Sequence, residues 1–254
     1  MKRIVLILTA LALLLSTNPV SAAQKAVVYG DDSYPPYTYM DTATKTPMGI
    51  YVTILKAAFA KMPEYEVIIE LVPWKNALNK VETGQGIAMF PPYYNEERTA
   101  WMALSEPILT ERIVVYGTEE TLKGKSKWPE DFYGSKIGLN SGFSPLSMGG
   151  KVLDGAIKAG KIILDDGGKS NEICLKKLAA GRIDFYLNDR LIDISATPKV
   201  KRSEIIVGEN EGFLGFTRKA ENFPYMDDFK SKFDAIIKEM KQSGEIEAIV
   251  NKNK

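Results

Sequence analysis

Four short stretches carry the residues that could do chemistry. Residues 30–41, GDDSYPPYTYMD, gather Asp31, Asp32, Tyr34, Tyr37 and Tyr39 around a Pro-Pro pair. Residues 91–98, PPYYNEER, follow the apolar run Ile87-Ala88-Met89-Phe90 and end on Arg98. Prolines with no N–H to donate stop a sheet ladder there. Residues 138–145, GLNSGFSP, read as a glycine-rich turn opening a helix, with Ser144 as N-cap and Pro145 at the first helical position. In GRIDFYLNDR, Asp184 and Asp189 flank a strand, with Asp189 at its carboxyl end. A guanidinium can hold a carboxylate through two parallel bonds. Free N–H groups at a helix start can hold one too. Each stretch also has a plainer reading: a solvated turn for 30–41, a surface loop for Arg98, capping alone for Ser144 and Asp189.

Those stretches fall at strand ends. In open α/β sheets, ligands sit beyond the carboxyl ends of the strands. Strands are expected at 27–29, EVIIELV, IAMF, RIVVYG, KIGLN, KIILDDG, IDFYLND and EIIVG. Helices are expected from Ile50 to Met62, with Leu55, Phe59 and Met62 on one face, and over WKNALNKVETG. PLSMGGKVLDGAIKAG reads as a third, and SNEICLKKLAAG as a fourth with Ser170 as N-cap. Near the end, Met226, Phe229, Phe233, Ile236, Ile237 and Met240 form one apolar stripe. Strands alternating with helices point to an α/β fold with largely parallel sheets, and two such series suggest two lobes.

The ends and the composition narrow the function. Lys2, Arg3, the apolar run Ile4–Leu15 and the small residues around Ala22 and Ala23 read as a secretory signal over residues 1–22. The run is too short to span a bilayer. Removing Lys2 and Arg3 takes the formal charge from +1 to −1, and no basic block suggests nucleic acid. The chain has no histidine, which excludes a histidine-based triad and a histidine-held metal. Cys174 is the only cysteine, so no internal disulfide forms; it reads as a buried core residue. No cofactor is expected.

The order of the motifs resembles the family-3, type II solute-binding proteins of polar amino acid ABC transporters. YPPYTY…GIYVTILKAAF is similar to that family's aromatic entry loop and its glycine-started helix. NEER…ALSEPI is similar to TPER…DFSDPY, GLNSGF-S to G-x-x-x-G-[ST]-[ST], and LAAGRIDFYLND to L-x-x-G-R-x-D-A-x-x-x-D. The resemblance covers nearly the whole exported chain. It implies a two-lobed fold with two mixed, mostly parallel sheets, helices on both faces and a ligand cleft between the lobes. The lobes would be 24–115 plus 217–254, and 116–216, joined by crossings near 113–118 and 209–216. Arg98 would grip a ligand carboxylate with help from Ser144. Asp189 would take an ammonium, Tyr34 would pack on the ligand, and Asp31 would sit near its far end.

Departures from the family pattern subtract polar donors. Asn95 replaces a threonine, Tyr93 a small serine, and Phe143 the first hydroxyl residue of the second turn. Trp74 joins Tyr34, Tyr93 and Phe143 as candidate wall. An amine-bearing or aromatic zwitterion and a carboxylate without an α-amine both stay open. The expected role is capture of a small polar solute, an amino acid or related zwitterion, in the periplasm by a monomer. The solute would be delivered to the membrane permease of an ABC transporter. The alternatives are a sensing role with a receptor, or an enzyme similar to cyclohexadienyl dehydratases with Glu172 or Asp166 as proton donor.

Overall fold

The computed structural model describes residues 23–252, and the expected export signal lies outside them. The first of two large sheets runs in the spatial order Tyr65–Val72, Gln24–Asp31, Ala88–Phe90, Gly215–Thr217, Met102–Leu104. Gln24–Asp31 lies parallel to both neighbours, whereas Gly215–Thr217 is antiparallel to both of its own. Tyr65–Val72 is one of its two edge strands, and Glu66 and Glu70 point to solvent on alternate positions. Helix Ile50–Phe59 packs against this sheet with Ile50, Tyr51, Ile54, Leu55 and Ala58 fully buried. Helix Met226–Gln242 returns to the same lobe. Its Phe229 and Phe233 meet Phe59 at 5.9 and 5.8 Å between ring centres.

The second sheet has the order Ile163–Gly168, Lys136–Asn140, Phe185–Asp189, Leu109–Thr118, Val200–Gly212. The first three are mutually parallel, and the last two run antiparallel. Each sheet is therefore mixed: one strand in each, Gly215–Thr217 in the first and Leu109–Thr118 in the second, runs against the rest. Leu109–Thr118 and Val200–Gly212 pair over their full length, from Leu109 opposite Gly212 to Thr118 opposite Val200. The chain passes between the sheets at 105–108 and 213–214. There Ser105 N–H donates to the Leu214 carbonyl, and Leu214 N–H donates to Ser105 Oγ, both at 2.9 Å. The expected breaks at 115/116 and 216/217 fall inside strands. The first crossing carries the polar break Ser105-Glu106-Pro107, whereas the second, Phe213-Leu214, is apolar and leaves no mark in the hydropathy.

Two local features differ from expectation and bear on the site. Helix Pro145–Lys158 breaks at Gly149 (φ −141°, ψ 17°) and Gly150 (φ 65°, ψ −168°), so only its first turn faces the cleft. Residues 30–48 fold into a small antiparallel sheet of Ser33–Tyr34, Thr38–Met40 and Pro47–Met48, which presents the tyrosines.

Gly49 locks that small sheet to the helix behind it. Its φ is +118°, and a Cβ would lie 2.4 Å from the Tyr37 carbonyl oxygen. Backbone rather than a pliable side chain opposes the Cβ, so the strain has no easy release. Gly49→Ala is expected to lower stability by about 2–4 kcal/mol in urea unfolding. A loss below about 0.5 kcal/mol, the scale of a neutral surface change, would contradict this close approach.

Candidate functional site

A pocket lies where the two lobes meet. Asp31, Tyr34, Trp74, Pro91, Tyr93 and Arg98 line it from the first lobe, and Phe143, Ser144, Ser147 and Met148 from the second. Seven of the expected site residues thus come together: Asp31, Tyr34, Trp74, Tyr93, Arg98, Phe143 and Ser144. Ser147 and Met148 had not been anticipated. They follow from Ser144 by one helical turn, the spacing that puts them on one side.

Arg98 sits in the short 3-10 turn Glu96–Ala100. Asn95 starts that turn by accepting the Glu97 N–H at 2.9 Å. Its side chain is used as a cap and does not line the pocket, so it positions Arg98 rather than touching a ligand. The guanidinium lies 5.9 Å from the Trp74 ring centre. Among the described residues no carboxylate forms an ion pair with it. Burial pulls its pKa down, with Glu97 acting the other way. A half-buried cation without an anion is an electrostatic cost that a ligand carboxylate would relieve. Ser144 is the N-cap of its helix, yet its hydroxyl makes no capping bond.

The wall is aromatic. Phe143 meets Tyr34 and Trp74 edge to face, at 5.7 and 6.1 Å between centres. This packing ties the second lobe's turn to the first lobe. The Trp74 indole N–H is buried without a partner.

Behind this wall stands Glu111, which is 1% exposed. Its Oε2 accepts the hydroxyls of Tyr34 at 2.9 Å and Tyr93 at 2.6 Å, and its Oε1 accepts that of Tyr51 at 2.5 Å. Nothing in the motifs had marked this residue. The signal was strand parity: Glu111 shares a face with Ile113 and Val115, whereas Thr110 and Arg112 point out.

Asp189 is placed differently from expectation. It is fully buried and does not line the Arg98 pocket. Its Oδ1 accepts the Tyr37 hydroxyl and the Leu191 N–H, both at 2.7 Å, and its Oδ2 accepts the Arg112 N–H at 2.9 Å. It borders a separate surface opening with Tyr37, Arg112 and Arg190. Under the 138–145 turn, Asn140 Nδ2 donates to Asn171 Oδ1 at 2.8 Å, and the Tyr186 hydroxyl donates to Asn140 Oδ1 at 2.6 Å. Glu172 pairs with Lys176 on the surface, and Asp166 is exposed; neither reaches the pocket. Cys174 is buried, and burial pushes its thiol up to about 12. Among the described residues no cluster of three or more acidic or sulfur ligands could hold a metal.

Residues 26–253 match the family of bacterial extracellular solute-binding proteins, family 3. The chain belongs to that family. Solved structures share the two-lobed fold. A histidine kinase sensor domain superposes with a TM-score of 0.74 at 18% identity, covering 91% of this chain and 96% of the other. An ancestral arginine-binding protein bound to arginine gives 0.72 at 18%, covering 91% and 99%. An amino acid ABC transporter substrate-binding protein of Streptococcus pneumoniae, bound to L-arginine, gives 0.72 at 16%, covering 90% and 94%. No curated protein matches the chain.

Two buried carboxyls stand at this cleft, Asp31 in the pocket lining and Glu111 behind it. Burial pushes Glu111 up to about 8, aided by the Asp189 charge and opposed by the three tyrosine hydroxyls. Burial likewise raises Asp31 to about 7, opposed by the Ser33 N–H and aided by Asp32. Both groups are ordinary carboxyls in the unfolded chain, ionising near pH 4. Between that pH and about 7–8 the unfolded chain has released protons that the folded protein keeps. Stability is therefore full in acid and is lost as pH rises through this window. Urea unfolding is expected to show a loss on the order of a few kcal/mol between pH 5 and 8. Glu111→Gln should flatten the larger part of that slope. A wild-type stability that rises over the same range would overturn the assignment.

Proposed function

We propose that this protein captures a small carboxylate-bearing solute of amino-acid size in the pocket around Arg98. It closes its lobes over the solute and passes it to the permease of an ABC transporter, working in the periplasm after export. The observation that carries this reading is Arg98: a half-buried guanidinium, facing a pocket between two lobes, with no anion of its own. Family membership supports solute capture. Relatives of the same fold that bind arginine or serve amino acid ABC transporters support the size and class of the ligand.

The mechanism needs no bond to be made or broken. The ligand's carboxylate would pair with the guanidinium, and Ser144 would add a hydroxyl from the opposite lobe. Because the two donors come from different lobes, the ligand favours the closed arrangement by its own contacts. Closure excludes water, which strengthens the charged bond. A micromolar site needs only about 8 kcal/mol net, within reach of one charge-assisted pair and an aromatic wall.

A receptor in place of the permease is the second reading, since a histidine kinase sensor domain has the same fold. Loss of solute uptake in cells lacking the protein would favour transport; loss of a transcriptional response with uptake intact would favour sensing.

A thermal-shift screen with amino acids, amines and carboxylates tests the site. A ligand at 100 times its Kd should add about 2.7 kcal/mol to stability. Arg98→Ala is expected to weaken binding by about 1.5–3 kcal/mol, roughly 10- to 150-fold, and so cut the added stability at that ligand concentration to about 0.3–1.4 kcal/mol. Arg98→Lys should recover part of it, because the charge returns without the fork. A carboxylate ligand that binds Arg98→Ala as tightly as wild type would sink this reading.

A further inference from the structure

We propose that the ligand carries a second carboxylate, received in an outer opening of the cleft between Lys75 and Lys169. The inference rests on the Arg98 reading above and deepens it. The solute becomes a dicarboxylate with a hydrogen-bond donor between its two heads.

The Arg98 pocket does not end at its wall. Asp31, Trp74 and Phe143 line it, and the same three residues line a second, roomier opening between the lobes. Pro73, Lys75 and Asn76 complete that opening from the first lobe, and Asn140, Ser141 and Lys169 from the second. The lobes meet here at Gly142. A Cβ at that position would lie 3.0 Å from Lys75 Cγ and 3.2 Å from Trp74 Cδ1. The shared lining makes the outer opening a continuation of the inner pocket.

Donors gather in the outer opening without acceptors to meet them. Helix Trp74–Glu82 begins there. Its capping residue is Pro73, whose side chain gives the first turn no bond, and no acidic residue stands in that turn. Free N–H groups at a helix start favour an anion. Trp74 is 9% exposed, and its indole N–H is buried without a partner. Cδ1, the atom bonded to that nitrogen, is the one that faces Gly142, so the donor edge of the indole is turned to the second lobe. Lys75 reaches the opening from the first lobe and Lys169 from the second, both exposed at its rim. Among the described residues neither lysine pairs with a carboxylate. Like charges on opposite lobes resist closure, and an anion between them replaces repulsion with attraction.

Asp31 fixes what lies between the heads, because it lines both openings. Its Oδ1 accepts the Ser33 N–H at 3.0 Å, and among the described residues its Oδ2 accepts no bond. An anion beside it would be repelled, whereas an N–H or O–H donor would fill it. The groups along the cleft thus run from a guanidinium, past an acid, to two lysines and a helix start. Their complement is a carboxylate, then an ammonium or hydroxyl, then a second carboxylate. An apolar far end would leave the Trp74 N–H and both lysines unanswered.

The test uses pairs that differ only in the charge of the far end: L-glutamate, L-2-aminoadipate and L-2-aminopimelate, each against its ω-carboxamide. Titration calorimetry on the full exported chain should show the diacid of at least one pair binding about tenfold or more tighter than its amide. Lys75→Gln and Lys169→Gln remove exposed charges and leave the core intact. Each should cut that ratio at least threefold. Arg98→Ala should weaken both members of the pair and leave their ratio unchanged. Diacids and amides that bind equally, while still needing Arg98, overturn this inference and leave the carboxylate reading standing. A ratio that neither lysine substitution moves overturns it as well. If no diacid binds at millimolar concentration but a monocarboxylate binds and needs Arg98, this inference falls alone. If no carboxylate binds, both readings fall together.

Discussion

One buried carboxyl group organises this cleft. Glu111 is carried on a strand of the second sheet, and it takes three hydroxyls from tyrosines of the first lobe. A carboxyl at this depth has no cation to neutralise it and no water to solvate it, so it persists only because its acceptor positions are filled. Each tyrosine supplies a donor while adding a ring to the apolar packing. The cost of burying the acid is offset locally, and the same contacts fasten the lobes. Removing one hydroxyl leaves the others in place. Removing the acid leaves three buried phenols to find new partners.

Everything at the front of the pocket follows from that arrangement at the back. Because Tyr34 and Tyr93 are pinned by their hydroxyls, their rings are set before any ligand arrives. Phe143, from the other lobe, then has fixed edges to meet. Tyr37 repeats the device on Asp189, and Asn171 Nδ2 reaches the Pro35 carbonyl across the lobes at 3.4 Å. The polar groups that could have greeted a ligand are thereby committed to protein partners. Ser144 and the Trp74 indole N–H are exceptions, and so is Arg98. Its position comes from the Asn95-capped turn, after prolines end the strand Ala88–Phe90. A rigid wall and one uncommitted charge give specificity through what they omit as much as through what they offer.

The sequence made much of this legible, for identifiable reasons. Strand ends marked by Pro-Pro and glycine-rich turns located the loops of Asp31, Tyr34, Arg98, Phe143 and Ser144, because such residues cannot continue a sheet or helix. The stripe from Met226 to Met240 announced the long helix. Two kinds of information were hidden. Spacing along a strand cannot tell which partner a side chain meets, so Asp189 read as a free acceptor although Tyr37 covers it. Motif matching also passes over a residue such as Glu111, which stands in no pattern and is visible only through its inward parity beside Ile113 and Val115. The Gly149–Gly150 break was written in the sequence, since paired glycines disfavour a continuous helix. The apolar positions on either side masked it.

The charges in the cleft form a coupled set rather than separate contacts. Near neutral pH, Glu111 largely keeps its proton and Asp31 keeps only part of its own, for burial opposes ionisation at both. Arg98 is then the main uncompensated charge facing the pocket, and its field favours an anion. As pH rises past about 8, both acids release their protons, and two negative charges appear close to the site. Their repulsion weakens an anionic ligand and eases a cationic one. Ligand preference thus depends on that proton balance. It follows from placing acids behind an aromatic wall and leaving the single basic group in front of it.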